Sequence, residues 1–174
     1  TISLDKKISI PRSVLLSTKK NTAGAKETFT TSDLLYPLLM TSNNSVAENI
    51  AYAYGTTSFI NWMNMAARSL DMRSTHFSSV TGTSTENIST TDDLFRLTAY
   101  LAKEKAFILD SARMPAKDII SDAGNIYQVD NTIASERTML YAYAIPINGV
   151  ERHVAVIVLE SNNSISDSTM LADW

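Results

Sequence analysis

The chain has 174 residues, of which 44% are hydrophobic and 19% charged, enough for one globular domain with a sizeable core. A net charge of -3 with scattered Lys and Arg supplies no basic stripe for nucleic acid. The absence of cysteine excludes disulfides, thiolate chemistry and a cysteine-based zinc site, and with 2 His any metal site would depend on carboxylates.

The opening "TISLDKKISIP" reads as the middle of a fold, with no signal-peptide pattern, and no apolar run reaches the ~18 residues of a membrane span. Residues 1 to 30 alternate loosely (Ile2, Leu4, Ile8, Ile10, then Val14 to Leu16) and turn polar in "STKKNTAGAKETFT". Short strands with a loop excursion are expected there. Thr31-Ser32-Asp33 then starts a helix through Leu34 to Met40, with Pro37 within about the first turn, where its missing N–H does little harm.

A polar break, Thr41-Ser42-Asn43-Asn44-Ser45, interrupts the apolar run. Ser45 and Glu48 have capping-box spacing, which predicts a helix from Ser45 to the stop at Gly55. A third helix, Ser58 to Leu70, lines up Phe59, Met63, Ala66 and Leu70. Met63, Met65, Met72 and Trp62 read as core packing. Capping-box spacing from Ser89 to Asp92 opens a fourth helix with Leu94, Leu97, Thr98 and Leu101 in register. Lys103 to Asn131, punctuated by Pro115 and Gly124, fits no single element. Strand-like runs Thr138–Ile145 and His153–Glu160 are joined by a tight turn, Pro146 to Gly149. A last helix, about 166–174, is expected to pack Met170, Leu171 and Trp174 on that hairpin. The sum is an α+β domain over 1–174: helices across about 31–130, a sheet drawn from about 1–16 and 138–161, and the C-terminal helix.

Hydroxyls and amides where two apolar helices meet can be plain caps. The flanks add more. "DLLYPLLMTSNNSVAENIA", "FINWMNMAARSLDMRSTHFSSVTG", "NISTTDDLFRLTAYLA" and "TMLYAYAIPINGVERHVAVIVLES" follow, in order, segments that recur in one family. Over about Asp33 to Leu101, and more loosely over Thr138 to Ser161, the chain resembles the D-alanyl-D-alanine carboxypeptidases, low-molecular-weight penicillin-binding proteins. The resemblance implies a β-lactamase/transpeptidase-like fold, serine acyl transfer on peptidoglycan stem peptides (or β-lactams as ligands), no metal or cofactor, and a place outside the cytoplasmic membrane. It implies Ser42 as the proton-relaying hydroxyl and Asn44 as the amide that holds the substrate backbone. Such chemistry also needs a Ser nucleophile with a Lys one turn on, and a Lys-Thr-Gly strand for the terminal carboxylate.

Those two motifs are where the resemblance breaks. No Lys-Thr-Gly occurs, and "YQVDNTIASERTML" holds no Lys or Gly where it belongs. Ser-x-x-Lys occurs as Ser3–Lys6 and Ser17–Lys20, but neither is followed by a buried apolar helix, and both lie too close to Ser42. Two explanations stay open. Either a longer natural chain carries a Ser-x-x-Lys helix upstream and Lys-Thr-Gly near 131–135, or this is a homologue that keeps the scaffold and binds cell-wall peptides or a protein partner without chemistry. A plain structural domain that uses the Ser42 turn only for capping is the third reading. As written, the chain is expected not to form an acyl-enzyme. His76 reads as scaffold, His153 as a surface residue at a strand start, Asp92 and Asp93 as helix-start charge, and Arg137 as a surface cation with a possible carboxylate-binding role.

Overall fold

The computed structural model describes the backbone of residues 2–15, 25–130, 139–148 and 150–173, and the side chains of 2–15, 25–130, 148 and 156–171. Strand β1 (Lys7–Pro11) turns Ile8 and Ile10 inward and pairs antiparallel with β2 (Lys26–Thr30), Ile8 opposite Phe29 and Ile10 opposite Glu27. The alternation expected of a half-buried strand holds on both, so β2 delivers Phe29 and a carboxylate, Glu27, to the inner face.

Helix α1 (Thr31–Thr41) follows without a loop. Its cap lies one residue before the expected start: Asp33 N–H donates to Thr30 Oγ1 at 3.1 Å and Thr30 N–H donates to Asp33 Oδ2 at 3.3 Å, a complete capping box. Pro37 is buried inside α1, in its second turn and not its first, where it removes one bond from the helical ladder. Helices α2 (Asn44–Tyr54) and α3 (Thr56–Ser69) come next, separated by Gly55 at φ 85. Only glycine adopts that backbone cheaply. On α3 and just beyond it, Met72 is buried and Met63 half-buried, but Met65 and Trp62 are exposed, so the expected core role holds for part of that set.

Helix α4 (Thr91–Glu104) turns Leu94, Leu97, Thr98 and Leu101 off the solvent, as the spacing predicts. Its cap is Thr90, one residue past the expected Ser89, with Thr90 Oγ1 accepting from Asp93 N–H at 3.3 Å. The ambiguous stretch resolves into α5 (Ala106–Arg113) and a hairpin, β3 (Ala116–Ile120) with β4 (Ile126–Asp130). The span expected to be helical therefore ends in strands, introduced by Pro115 and turned at Gly124, φ 80.

The terminal hairpin is longer and tighter than expected. Strands β5 (Met139–Ile147) and β6 (Val150–Val158) pair along nine residues, and Pro146, expected in the turn, lies in the ladder opposite Glu151. Proline is tolerated on an edge strand. Asn148 follows the ladder at φ 53, a left-handed backbone of the kind hairpin turns favour. His153 therefore lies within β6, opposite Ala144, and not at a strand start.

Among the described residues the strands form three separate two-stranded sheets. The partner of β1 is β2, so the expected single sheet joining the two ends is not formed there. Helix α6 (Ser164–Asp173) packs on β6 and β5. Its inward positions are Ser164 and Ser168, while Met170 and Leu171 are 65% and 57% exposed, the reverse of the expected packing. Serines one turn apart let the helix approach the strands closely, which turns the longer side chains outward. Trp174 lies outside the described residues.

The main core joins the first two hairpins through α1 and α2: Ile8, Ile10, Phe29, Leu34, Met40, Val46, Ile50, Ile119, Tyr127 and Val129. Phe29 and Tyr127 meet edge to face with ring centroids 5.4 Å apart.

Candidate functional site

The bend between α1 and α2 is held at both ends by core side chains. Met40 and Val46 are 2% and 0% exposed, so the helices are pinned within a few residues of the break. Thr41 folds its hydroxyl back on α1, donating to the Pro37 carbonyl at 2.6 Å. Ser42 then takes φ 49, ψ 41, a left-handed conformation that a non-glycine residue adopts only where its surroundings enforce it. Asn43 is extended at φ -74, ψ 100, and α2 begins at Asn44.

That backbone sorts the three side chains. Ser42 and Asn44 are exposed, and neither has a hydrogen-bond partner among the described residues. Asn43 between them is half-buried and fully engaged. Its Oδ1 accepts from Val46 N–H at 3.1 Å, and its Nδ2 donates to the Val14 carbonyl at 2.9 Å. Asn43, not Ser45, is therefore the cap of α2. Ser45 and Glu48 are both exposed within the helix, and the expected box between them does not form. A carboxamide carries its acceptor and its donor on separate atoms, so Asn43 serves Val46 with one and Val14 with the other.

The Ser3–Lys6 sequence gives no nucleophile pair. Ser3 and Lys6 lie on a turn before β1, not on a helix. The Lys6 ammonium donates to the Ala53 carbonyl at 2.6 Å and sits 3.9 Å from the centroid of the Tyr54 ring. Ser17 to Lys20 lie outside the described residues, as does Arg137. His76 is exposed and pairs through its backbone with Ile88, which suits scaffold. Among the described residues no cluster of His, Asp or Glu is fit to hold a metal ion.

Several polar side chains tie the loop between α3 and α4 to those two helices. Asn64 holds Phe77 by both backbone groups, accepting from its N–H at 2.9 Å and donating to its carbonyl at 2.7 Å. Asn87 Oδ1 accepts from Ser78 and Ser79 N–H while its Nδ2 donates to the Thr81 carbonyl at 2.7 Å. Asp93, 5% exposed, accepts from Ser74 N–H and the Thr75 hydroxyl, so it acts as more than helix-start charge. Asp92 remains exposed at the start of α4, beside an open cavity of about 620 Å³ that Asp71, Arg73 and Arg96 also line.

Glu27 is the other missed residue. It is 3% exposed and takes hydrogen bonds from Arg12, Asn125 and Ser121. These donors, Ser121 foremost, hold its carboxyl below the usual range against the opposing effect of burial. The same carboxylate keeps the Arg12 guanidinium charged, and burial pushes the neighbouring Tyr127 phenol up. The available signal was the alternation of β2, which places Glu27 on the same face as Phe29.

Known proteins share parts of this chain's sequence and its fold. A family model described as D-alanyl-D-alanine carboxypeptidase matches residues 2–143. The D-alanyl-D-alanine endopeptidase of Escherichia coli is 43% identical over 67 residues, 37% of this chain and 22% of that protein. The D-alanyl-D-alanine endopeptidase of Pseudomonas aeruginosa is 40% identical over 67 residues, with the same coverage. The matched stretch thus spans about a fifth of those relatives. Among solved structures, ampicillin-bound penicillin-binding protein D2 from Listeria monocytogenes superposes with a TM-score of 0.70 at 24% identity, covering 98% of this chain and 76% of that one. The Streptomyces K15 DD-transpeptidase gives 0.68 at 21%, covering 98% and 79%. At such identities the likeness establishes the fold, that of the penicillin-binding proteins.

Proposed function

The chain belongs to the D-alanyl-D-alanine carboxypeptidase family, and from that premise we propose that residues 1–174 form one domain carrying the substrate-holding wall of a serine-type carboxypeptidase. Its substrate is a peptidoglycan stem peptide ending in D-alanyl-D-alanine, or a β-lactam in its place. Such peptides lie outside the cytoplasmic membrane, and so does the protein in this reading. Among the described residues no helix is long and apolar enough to cross a membrane.

One observation carries the assignment. Ser42 and Asn44 present a hydroxyl and a carboxamide without a hydrogen-bond partner among the described residues, on either side of a side chain committed to the interior. In serine acyl transfer such a hydroxyl passes the proton between nucleophile, base and leaving group, and such an amide holds the peptide backbone in line for attack. Acylation itself needs a Ser–Lys pair and a carboxylate-binding strand. The sequence has no Lys-Thr-Gly, and Lys6 is occupied by Ala53 and Tyr54. Peptide recognition without acylation is therefore the activity assigned to residues 1–174, and acyl transfer is assigned to the natural protein only if it carries those two motifs.

Titration of the isotope-labelled chain with an acylated peptide ending in D-alanyl-D-alanine tests this by nuclear magnetic resonance. We expect the amide signals around Ser42 and Asn44 to move, and Asn44→Ala to weaken binding at least tenfold with little change in stability. A loss of about 1 kcal/mol or more in stability with no change in binding would reduce the turn to a cap. Covalent labelling of this chain by a fluorescent penicillin would overturn the assignment of recognition without acylation.

A further inference from the structure

We propose that Asn43 is a positioning residue: it bolts the α1–α2 bend onto the end of the first hairpin and so holds Ser42 and Asn44 outward. The functional consequence rests on the role of those two residues proposed above. The geometry itself does not.

A helix cap needs only an acceptor, and Ser, Thr or Asp at position 43 would serve. Asn43 spends that half of its amide on Val46 N–H at 3.1 Å. The other half reaches 29 residues back in sequence, to the Val14 carbonyl at 2.9 Å. That carbonyl stands on a fixed platform. Val14 closes the short 3-10 turn Arg12–Val14 at the end of β1, and Arg12 N–H donates to the Ala25 carbonyl at 3.0 Å. The Arg12 guanidinium is in turn held by buried Glu27. One carboxamide thus joins three pieces of backbone: the bend, the first turn of α2 and the end of the β1–β2 hairpin.

The bolt matters because the bend is otherwise disfavoured. Ser42 is left-handed at φ 49 without being glycine or asparagine, and its own side chain makes no local hydrogen bond that would favour that state. With the side chain at 43 pulled inward, its neighbours on either side face solvent together. Without the Nδ2 bond, α2 would keep its cap while the bend gained freedom to turn over.

Asn43→Asp and Asn43→Ser separate the two halves: each keeps an acceptor for Val46 N–H, but an ionised carboxylate has no proton to donate and a serine hydroxyl is shorter than the arm that carries Nδ2 to the Val14 carbonyl. In the wild-type chain the carboxamide protons of Asn43 are expected to exchange slowly with solvent; fast exchange overturns the proposal with no variant needed. In both variants we expect Val46 N–H to stay protected while 15N relaxation reports faster motion at Ser42 to Asn44. Unchanged relaxation in the variant that remains folded, or loss of Val46 protection in step with it, overturns the proposal in favour of a plain cap. A D-alanyl-D-alanine peptide adds a second readout, with binding expected to weaken at least tenfold. If the wild-type chain binds no such peptide, the proposed function fails, and the bolt is still judged by the exchange and relaxation measurements alone.

Discussion

The Arg12 guanidinium donates through Nε to Glu27 Oε1 at 2.6 Å, across the end of the hairpin that β1 and β2 form. Arg12 stands half in solvent, whereas Glu27 is sealed beneath it and also bound by Asn125, 98 residues further along the chain. Removing one partner of a buried pair leaves an uncompensated charge or stranded donors. Glu27→Ala is therefore expected to lower the thermal midpoint markedly and loosen both early hairpins. Lys7 and Asp122 pair at 2.6 Å but are both well exposed, so Asp122→Ala is expected to cost no more than about 1 kcal/mol. Thermal melts of the two variants side by side check the contrast.

The same carboxylate sets a pH dependence. Its hydrogen bonds depress the folded-state value below that of the unfolded chain, about 4.3 for a model glutamate. Its stabilisation is therefore fully present above that unfolded value and is lost as pH falls through the lower folded value. Denaturant melts of the wild type between about pH 3 and about pH 6 are expected to lose stability toward acid. Glu27→Gln should flatten part of that slope.

How much of this was legible in the sequence depends on the range of the interactions. Helix positions followed from apolar spacing, and the caps fell within one or two residues, because a cap is a contest among adjacent hydroxyls and amides. Asn43 defeated Ser45 through a bond to Val14, and no local pattern reports a bond across 29 residues. The β3–β4 hairpin was hidden because Ile120 and Ile126, opposite each other at its tip, are both exposed and blur the alternation of their strands. Strand pairing was the poorest inference, since β1 looks the same whether its partner is β2 or the distant β6. For the proposed site, motif order pointed to Ser42 and Asn44, while the bond from Asn43 between them to Val14 emerged only from three-dimensional contacts.

Asn87 gives a third prediction. Its Oδ1 accepts from the N–H groups of Ser78 and Ser79, and its Nδ2 donates to the Thr81 carbonyl, so one side chain replaces the missing backbone ladder of that loop. Asn87→Ala leaves the half-buried Ser78 and Ser79 N–H groups without that acceptor, while the Thr81 carbonyl keeps the Ser79 hydroxyl, at a cost of about 1–3 kcal/mol. Hydrogen exchange should show the loss confined to the loop around Ser78–Thr81, with amides in α1 and α2 protected as before. An effect spread evenly over the domain would refute a local clamp.

The last prediction sets stability against function at Ser42. Its left-handed backbone costs an L-residue with a Cβ roughly 1–2 kcal/mol, a cost that glycine does not bear. Glycine also loses more freedom on folding, which offsets part of the gain. Ser42→Gly should therefore leave the chain as stable as the wild type or up to about 1 kcal/mol more stable. Ser42→Ala, which keeps the Cβ and removes an exposed hydroxyl with no partner among the described residues, should change stability by no more than about 0.5 kcal/mol. Both variants remove the hydroxyl assigned to proton relay. In any natural or assembled form that carries the Ser–Lys pair and Lys-Thr-Gly, both should slow acylation by a β-lactam while leaving the fold intact. A stabilised Ser42→Gly with full acylation rate would show that this hydroxyl is dispensable, and the case for position 42 as a relay would end there.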